Sequence, residues 1–224
     1  MDVILSIPDT ENVRVRTDIV EAALGLPGDI AVRLVHKAIC WFDTKYNILL
    51  HDKLGSLIGH LAGQGQVERA LYLVRELLAV LPREAADDAE RDRMLDLSEP
   101  RTRIKLTDYQ SIIEANMDIL ANKAGLQTVD TFSNFLEIAL KYSIDQDSGT
   151  TREDLSYIWR PAIEEHEQNH DCGIKDILVS AIRDISQLIA SEKPNQVLDL
   201  IWEFEEKQWT IFRRLELKSN VVYG

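Results

Sequence analysis

The sequence predicts an all-α protein, an irregular α-α superhelix of the HEAT, armadillo or TPR-like solenoid type with about nine or ten helices. Apolar residues recur at helical spacing along nearly the whole chain, and no segment alternates as a half-buried strand does. Short connections join the helices in pairs, which favours antiparallel neighbours. Successive pairs are spaced by roughly 35 to 55 residues, near the period of HEAT and armadillo units.

The N-terminal part is predicted to hold two helix pairs: residues 17–24 with 29–42, and 52–62 with 65–81. The clearest periodicity begins at Val67, from which apolar side chains follow at i+3, i+4, i+7, i+10, i+11 and i+14. These positions form one continuous stripe on an α-helix. Pro82 is expected to end this helix, because proline disfavours the helical conformation in the residue before it.

The C-terminal part is predicted to hold two further pairs and a long final helix: residues 107–122 with 130–143, 151–169 with 174–190, and 195–215. Thr107 and Asp130 are expected to cap the starts of their helices. Gly125 fits a helix C-terminus in the left-handed conformation, and Pro194 fits the first position of the final helix.

Composition and charge restrict the classes of function. A chain that is 45% hydrophobic and 28% charged is typical of a globular protein rather than a disordered one. A net charge of −13 repels phosphate, so we expect neither nucleic acid nor an anionic membrane surface as the partner. No apolar run reaches the roughly 18 residues of a membrane span. The start of the chain lacks a basic signal region, and Cys40 and Cys172 are far apart, as in cytoplasmic proteins with reduced thiols.

An acidic stretch divides the chain into two predicted groups. Residues 83–99 contain seven acidic side chains and three arginines, a pattern typical of a solvated helix or loop. An acidic docking surface for a basic partner is the alternative. The predicted domains are therefore a first helical-repeat group over residues 1–100 and a second over residues 101–224, continuous with the first.

Several stretches are similar to the helical-repeat regions of very large bacterial proteins of the STAND and antiviral type, which have an NTPase module elsewhere. These stretches are IPDTENVRV at 7–15, EAALGLP at 21–27, KLGSLIGHLA through ALYLVRELLAVLP at 53–82, YIWRPAIEEHEQN at 157–169 and IKDILVSAIRD at 174–184. The resemblance implies a sensor arm or scaffold and brings no catalytic residues. The final segment is apolar and lacks a polar capping helix, so we expect either a piece of a longer cytoplasmic protein or ends that pack on something else. The alternative is a long last helix that folds back on its neighbour.

One motif points to metal chemistry. His166, Glu167 and His170 match H-E-x-x-H, in which two histidines one helical turn apart bind zinc and the glutamate acts as general base. Gly173 and Asp176 extend the match to H-E-x-x-H-x-x-G-x-x-D, which is similar to metzincin-type metalloproteases with an aspartate as third ligand. The alternative function is therefore a zinc-dependent metalloprotease or hydrolase.

Four features instead favour a structural role for this motif. A charged residue, Asp171, follows the second histidine, and no methionine follows Asp176 to form a Met-turn. No strands precede the motif to cover a zinc-binding helix. Asp176 is expected on the solvent side of an amphipathic helix that starts near residue 174. We therefore expect no catalytic residue, no metal and no cofactor.

The strongest indication of an interaction surface is aromatic. Trp202, Phe204, Trp209 and Phe212 lie in the long final helix, with Trp202 and Trp209 seven residues apart on a shared face. Tryptophan is enriched where interfaces bind most strongly, although tryptophan at helical spacing is more often part of a core. These residues are predicted to bind a protein partner or another domain of the same chain. The favoured function is a non-enzymatic scaffold for protein interaction.

Overall fold

The fold was analysed in a computed structural model, which describes residues 11–42, 49–82, 100–143, 155–167, 169 and 173–221. The fold is all-α, as predicted, with almost no strand. Its helices are α1 (Val13–Ala23), α2 (Gly28–Ala31), α3 (Val35–Phe42), α4 (Leu50–Gly63), α5 (Val67–Leu77), α6 (Leu106–Ala124), α7 (Leu126–Ser143), α8 (Ser156–Trp159), α9 (Ile174–Glu192), α10 (Val197–Glu205) and α11 (Thr210–Val221). Over these residues, no helix combines the length and the apolar character that crossing a membrane requires.

The chain forms two compact units that alternate along the sequence. The first comprises Met1–Ala79 and Thr107–Gly125, and the second comprises Val80–Leu106 and Leu126–Gly224. The predicted division at residue 100 therefore differs from the observed one, because α6 belongs to the first unit. The acidic stretch at residues 83–99 lies outside the described residues.

The first unit is built around the predicted pair of α4 and α5, with α1 packed on α4. Leu71, Val74 and Leu77 of α5 are at most 1% exposed, which confirms the predicted apolar stripe. The N-terminus of α1 is capped by Asn12, whose side-chain oxygen accepts hydrogen bonds from the backbone N–H groups of Arg14 and Val15. Helix α1 thus begins four residues before the predicted helix at residue 17.

Helix α6 joins the first unit through buried contacts to α4. The Asn116 amide nitrogen donates to the Gly55 carbonyl at 3.1 Å. Gly55 allows this close approach, since a Cβ atom there would lie 2.8 Å from Cγ1 of Ile112. The Tyr109 hydroxyl donates to the Leu78 carbonyl at 3.0 Å. A carbonyl left at the end of α5 is thereby satisfied.

The end of α5 differs from the prediction of a helix through Leu81. The helix stops at Leu77, and Val80–Leu81 form a short strand, β1, paired antiparallel with β2 (Arg101–Thr102). The expectation that the chain has no strand is therefore wrong for these two segments. The pairing joins residues about twenty positions apart, so no local pattern indicates it.

The second unit has α7 packed against α9, and α11 packed against both α9 and α10. Gly125 precedes α7 with a φ of 54°, and its N–H donates to the carbonyls of Leu120 and Ala121, which confirms the predicted left-handed helix end. Neither predicted N-terminal cap lies at the start of its helix. Helix α7 begins at Leu126, so Asp130 lies within it, and Thr107 likewise lies within α6.

The predicted long final helix is two helices. Helix α10 ends at Glu205 and α11 begins at Thr210, after a turn. The rings of Phe204 and Phe212 stack with centroids 6.2 Å apart, a contact that requires the chain to fold back on itself. Trp202 and Trp209 therefore do not share one helix face. Pro194 opens a 3-10 turn, Pro194–Gln196, that leads into α10.

Candidate functional site

Helix α10 has an apolar pair of side chains on its solvent side. Leu198 is 65% exposed and Trp202 is 60% exposed, and the two lie one helical turn apart. Asp199, Glu205 and Glu206 are also exposed. We call these five residues the α10 outer face. At 100° per residue they span about 120° of the helix circumference, so they form one continuous surface.

The opposite side of α10 fixes the helix to the core of the second unit. Leu200 and Phe204 are completely buried and lie one turn apart. Phe204 stacks on the equally buried Phe212 with an interplanar angle of 27°. Offset aromatic stacking adds about 0.5–1.5 kcal/mol to the free energy gained by burial. The outer face is thus presented by a helix whose inner face is firmly packed.

A lysine in the turn after α10 fixes the end of the helix. The Lys207 Nζ lies 3.2 Å from Oε1 of Glu203 and 3.3 Å from Oδ1 of Asn134. It also lies 3.7 Å from Asp130 and 3.9 Å from Glu137, and its side chain is only 12% exposed. This ammonium group therefore links α10 to α7 through several acceptors at once.

The environment of Glu203 shows that this junction is partly dehydrated. Burial raises the pKa of Glu203 above its ordinary value, against the lowering effect of the hydrogen bond and charge of Lys207. Desolvation disfavours the charged form of a carboxyl group. Lys207 is thus engaged by Glu203 and by the acceptors of α7, and its side chain is only 12% exposed.

The predicted interaction residues separate into surface and core. Trp202 lies on the outer face, whereas Phe204 and Phe212 are completely buried and Trp209 is 5% exposed. These three side chains support the helix from beneath and are not available to a partner. Leu198 is not among the interaction residues predicted from the sequence. Leu198 could have been identified by its i, i+4 spacing to Trp202, because the buried Leu200 and Phe204 have the same spacing on the other side of the helix.

The segment that contains the H-E-x-x-H match is not a helix where it is described. Helix α8 ends at Trp159, and residues 160–167 have no regular structure, so the predicted helix over 151–169 is wrong. Asn169 closes this loop by accepting from Ala162 N and donating to the Glu164 carbonyl. His166 and Glu167 are exposed in the loop, and His170 lies outside the described residues.

Asp176 is buried, in contrast to the predicted solvent position. Its Oδ1 accepts from Nη1 of Arg160 at 3.2 Å, and the two side chains are 7% and 5% exposed. Arg160 also donates to the Ile163 carbonyl and to Oγ of Ser180. The hydrophobic pattern of α9 by itself does not reveal that the loop after α8 covers the first turn of α9. Asp176 neutralises a buried arginine in this structure.

Other ionisable groups do not gather into a metal-binding cluster within the described ranges. No three histidine, cysteine, aspartate or glutamate side chains there are arranged to hold a metal ion. His36 and Cys40 of α3 form a pair, with Nε2 and Sγ 4.0 Å apart. His51 lies 3.3 Å from both Asp52 and Asp108.

Comparisons with known proteins found no matching family model, no matching curated protein and no matching solved structure.

Proposed function

We propose that the chain is a non-enzymatic interaction segment, built as an irregular α-solenoid, that binds a protein partner or another domain through the α10 outer face. The observation that supports this proposal is the exposure of Leu198 and Trp202 on a helix with a packed inner face. Large apolar side chains surrounded by polar ones are typical of binding surfaces. A tryptophan loses little conformational freedom when it is covered and contributes strongly to binding.

A scaffold role also agrees with how α10 is held. The stacked Phe204 and Phe212 and the contacts of Lys207 fix the position of the outer face before any partner binds. A preorganised surface spends less free energy on ordering when a complex forms. We propose further that the chain belongs to a longer cytoplasmic bacterial protein in which it acts as a scaffold. The gene sequence on both sides of this segment would test that part.

A display selection tests the interaction function. The folded chain is immobilised and used to select from a phage-displayed library of helix-forming peptides, and the affinities of the selected peptides are then measured. We expect Trp202→Ala to weaken their binding by at least about tenfold, the effect of a strong interface residue. Tyr157→Ala is the matched control, since Tyr157 of α8 is 63% exposed but lies outside the outer face.

The control decides how the result is interpreted. Binding that survives Tyr157→Ala and is lost in Trp202→Ala supports the proposal. Failure to enrich any peptide that depends on Trp202 contradicts it, provided that circular dichroism shows the variant to be folded. Both side chains are mainly exposed, so neither substitution removes a core contact.

The alternative function, zinc-dependent hydrolysis, makes a different demand on the chain. Asp176 would have to leave Arg160 in order to bind zinc with His166 and His170, while Glu167 acted as the general base. Metal analysis of the purified protein separates the two functions. Stoichiometric zinc, and a loss of stability in chelator that is absent in His166→Ala, would favour the hydrolase.

A further inference from the structure

The α10 outer face has a one-sided charge. No lysine, arginine or histidine occurs between residues 194 and 206, whereas Asp199, Glu205 and Glu206 are all exposed. These carboxylates lie on the same side of the helix as Leu198 and Trp202. Within residues 194–206, this surface therefore combines two apolar side chains with negative charges alone.

The lysine in the turn that follows α10 is engaged away from the outer face. Lys207 is turned toward Glu203, Asp130 and Glu137, with nitrogen–oxygen distances between 3.2 and 3.9 Å. Its side chain is 12% exposed, so little of the charge reaches solvent. An arriving partner meets the carboxylates without a compensating positive group from this turn.

We infer that the α10 outer face binds a basic amphipathic helix of a partner protein, an inference that rests on the proposed function. Apolar side chains at i, i+3 or i+4 of such a helix pack on Leu198 and Trp202. Lysines or arginines beside them reach Asp199, Glu205 and Glu206. Charge complementarity of this kind selects the partner and speeds its association more than it adds affinity.

Other occupants fit this surface less well. A second copy of the chain in a symmetric dimer would bring the same carboxylates together, because a two-fold axis places identical patches face to face. An anionic lipid surface or a nucleic acid would meet like charge at Asp199, Glu205 and Glu206. A basic helix satisfies both the apolar and the charged part of the face.

A pair of synthetic peptides tests the inference on the full chain. Both form amphipathic helices with the same apolar face, but one has lysine and the other glutamate on the polar positions. The chain is labelled with 5-fluorotryptophan, and ¹⁹F NMR follows its four tryptophans during titration. The Trp202 resonance is assigned with Trp202→Phe, and Trp41 of the first unit, which is 2% exposed, is the internal control.

We expect the lysine peptide to shift the Trp202 resonance saturably and to bind at least about tenfold more tightly than the glutamate peptide. Its affinity falls when ionic strength is raised from about 0.05 M to about 0.5 M, because screening weakens exposed charges. The double variant Asp199→Lys/Glu206→Lys reverses the preference, so that it favours the glutamate peptide. A purely structural role of these two residues would not produce that reversal.

The outcomes separate this inference from the function on which it rests. Equal binding of both peptides through Trp202, or an unchanged preference in the double variant, overturns the basic partner and leaves an interaction surface in place. No shift of Trp202 with either peptide also overturns the inference, while the display selection decides independently whether the outer face binds peptides at all.

Discussion

Removal of the buried carboxylate of Asp176 is expected to be among the most destabilising single changes in the second unit. Asp176 and Arg160 are 7% and 5% exposed, and Oδ1 lies 3.2 Å from Nη1. The substitution Asp176→Leu replaces the carboxylate with an apolar side chain and leaves the guanidinium without its counter-ion. A buried ion that loses its partner costs several kcal/mol, because water cannot replace the lost charge.

The magnitude follows from the geometry. Two unit charges at 3.2 Å attract by roughly 5 kcal/mol at an effective dielectric constant of about 20. Arg160 keeps its hydrogen bonds to Ile163 O and Ser180 Oγ, both buried or partly buried, which limits the loss. We therefore expect Asp176→Leu to lower the free energy of unfolding by about 3–5 kcal/mol, a large share of the stability of an ordinary domain.

A double-mutant cycle with Arg160→Met provides the assay. Urea unfolding at pH 7 is followed by circular dichroism for the wild type, the two single variants and the double variant. The double variant is expected to be more stable than the sum of the single losses implies, by about 2 kcal/mol, since no charge is then left unpaired. Additivity within about 0.5 kcal/mol, or a single loss below about 1 kcal/mol, would refute the buried ion pair.

Two further predictions concern the first unit. Gly55→Ala is expected to lower the free energy of unfolding by about 1–2 kcal/mol, because its Cβ would lie 2.8 Å from Cγ1 of Ile112. The Cβ of Gly63→Ala would meet nothing within 4 Å, so this variant is expected to raise the free energy of unfolding by about 0.5 kcal/mol through helix propensity. Urea midpoints of the two variants should move in opposite directions, and a stabilised Gly55→Ala would contradict the close approach. Tyr109→Phe is expected to cost about 1–2 kcal/mol by leaving the Leu78 carbonyl unpaired. Burial raises the pKa of the Tyr109 hydroxyl, so this tyrosine ionises more easily in the unfolded chain than in the folded one. Its contribution to the free energy of unfolding is therefore complete below about pH 10 and is lost as the pH rises further. The fall in stability above pH 10 should thus be shallower in Tyr109→Phe, and an identical fall in both proteins would contradict the burial of the hydroxyl.

Local patterns were enough to predict the helices, but not where several of them end. The stripe that starts at Val67 is confirmed, because amphipathic periodicity is a property of one segment. The same stripe continues into Leu81, yet the helix ends earlier because the following residues pair with Arg101–Thr102. Likewise, nothing in the composition of residues 206–209 marks a break, which depends on the stacking of Phe204 against Phe212.

The candidate surface was predicted only in part for a related reason. The apolar pattern of segment 195–215 identifies its aromatic side chains. It does not indicate which of these side chains are covered by neighbouring helices. Trp202 and Phe204 are two positions apart and point in nearly opposite directions from α10, one exposed and one buried. The burial of Asp176 was hidden in the same way, since its partner, Arg160, belongs to a separate loop.

The alternation of the two units along the chain matters for biosynthesis. The polypeptide leaves the first unit at Val80 and returns to it at Thr107, so the ribosome makes part of the second unit before the first is complete. A nascent chain released at residue 100 would lack Asn116 and therefore the donor that bonds the Gly55 carbonyl. The ribosome must therefore synthesise the chain through Gly125 before the first unit is complete. Expression of residues 1–100 alone would produce a first unit that lacks α6.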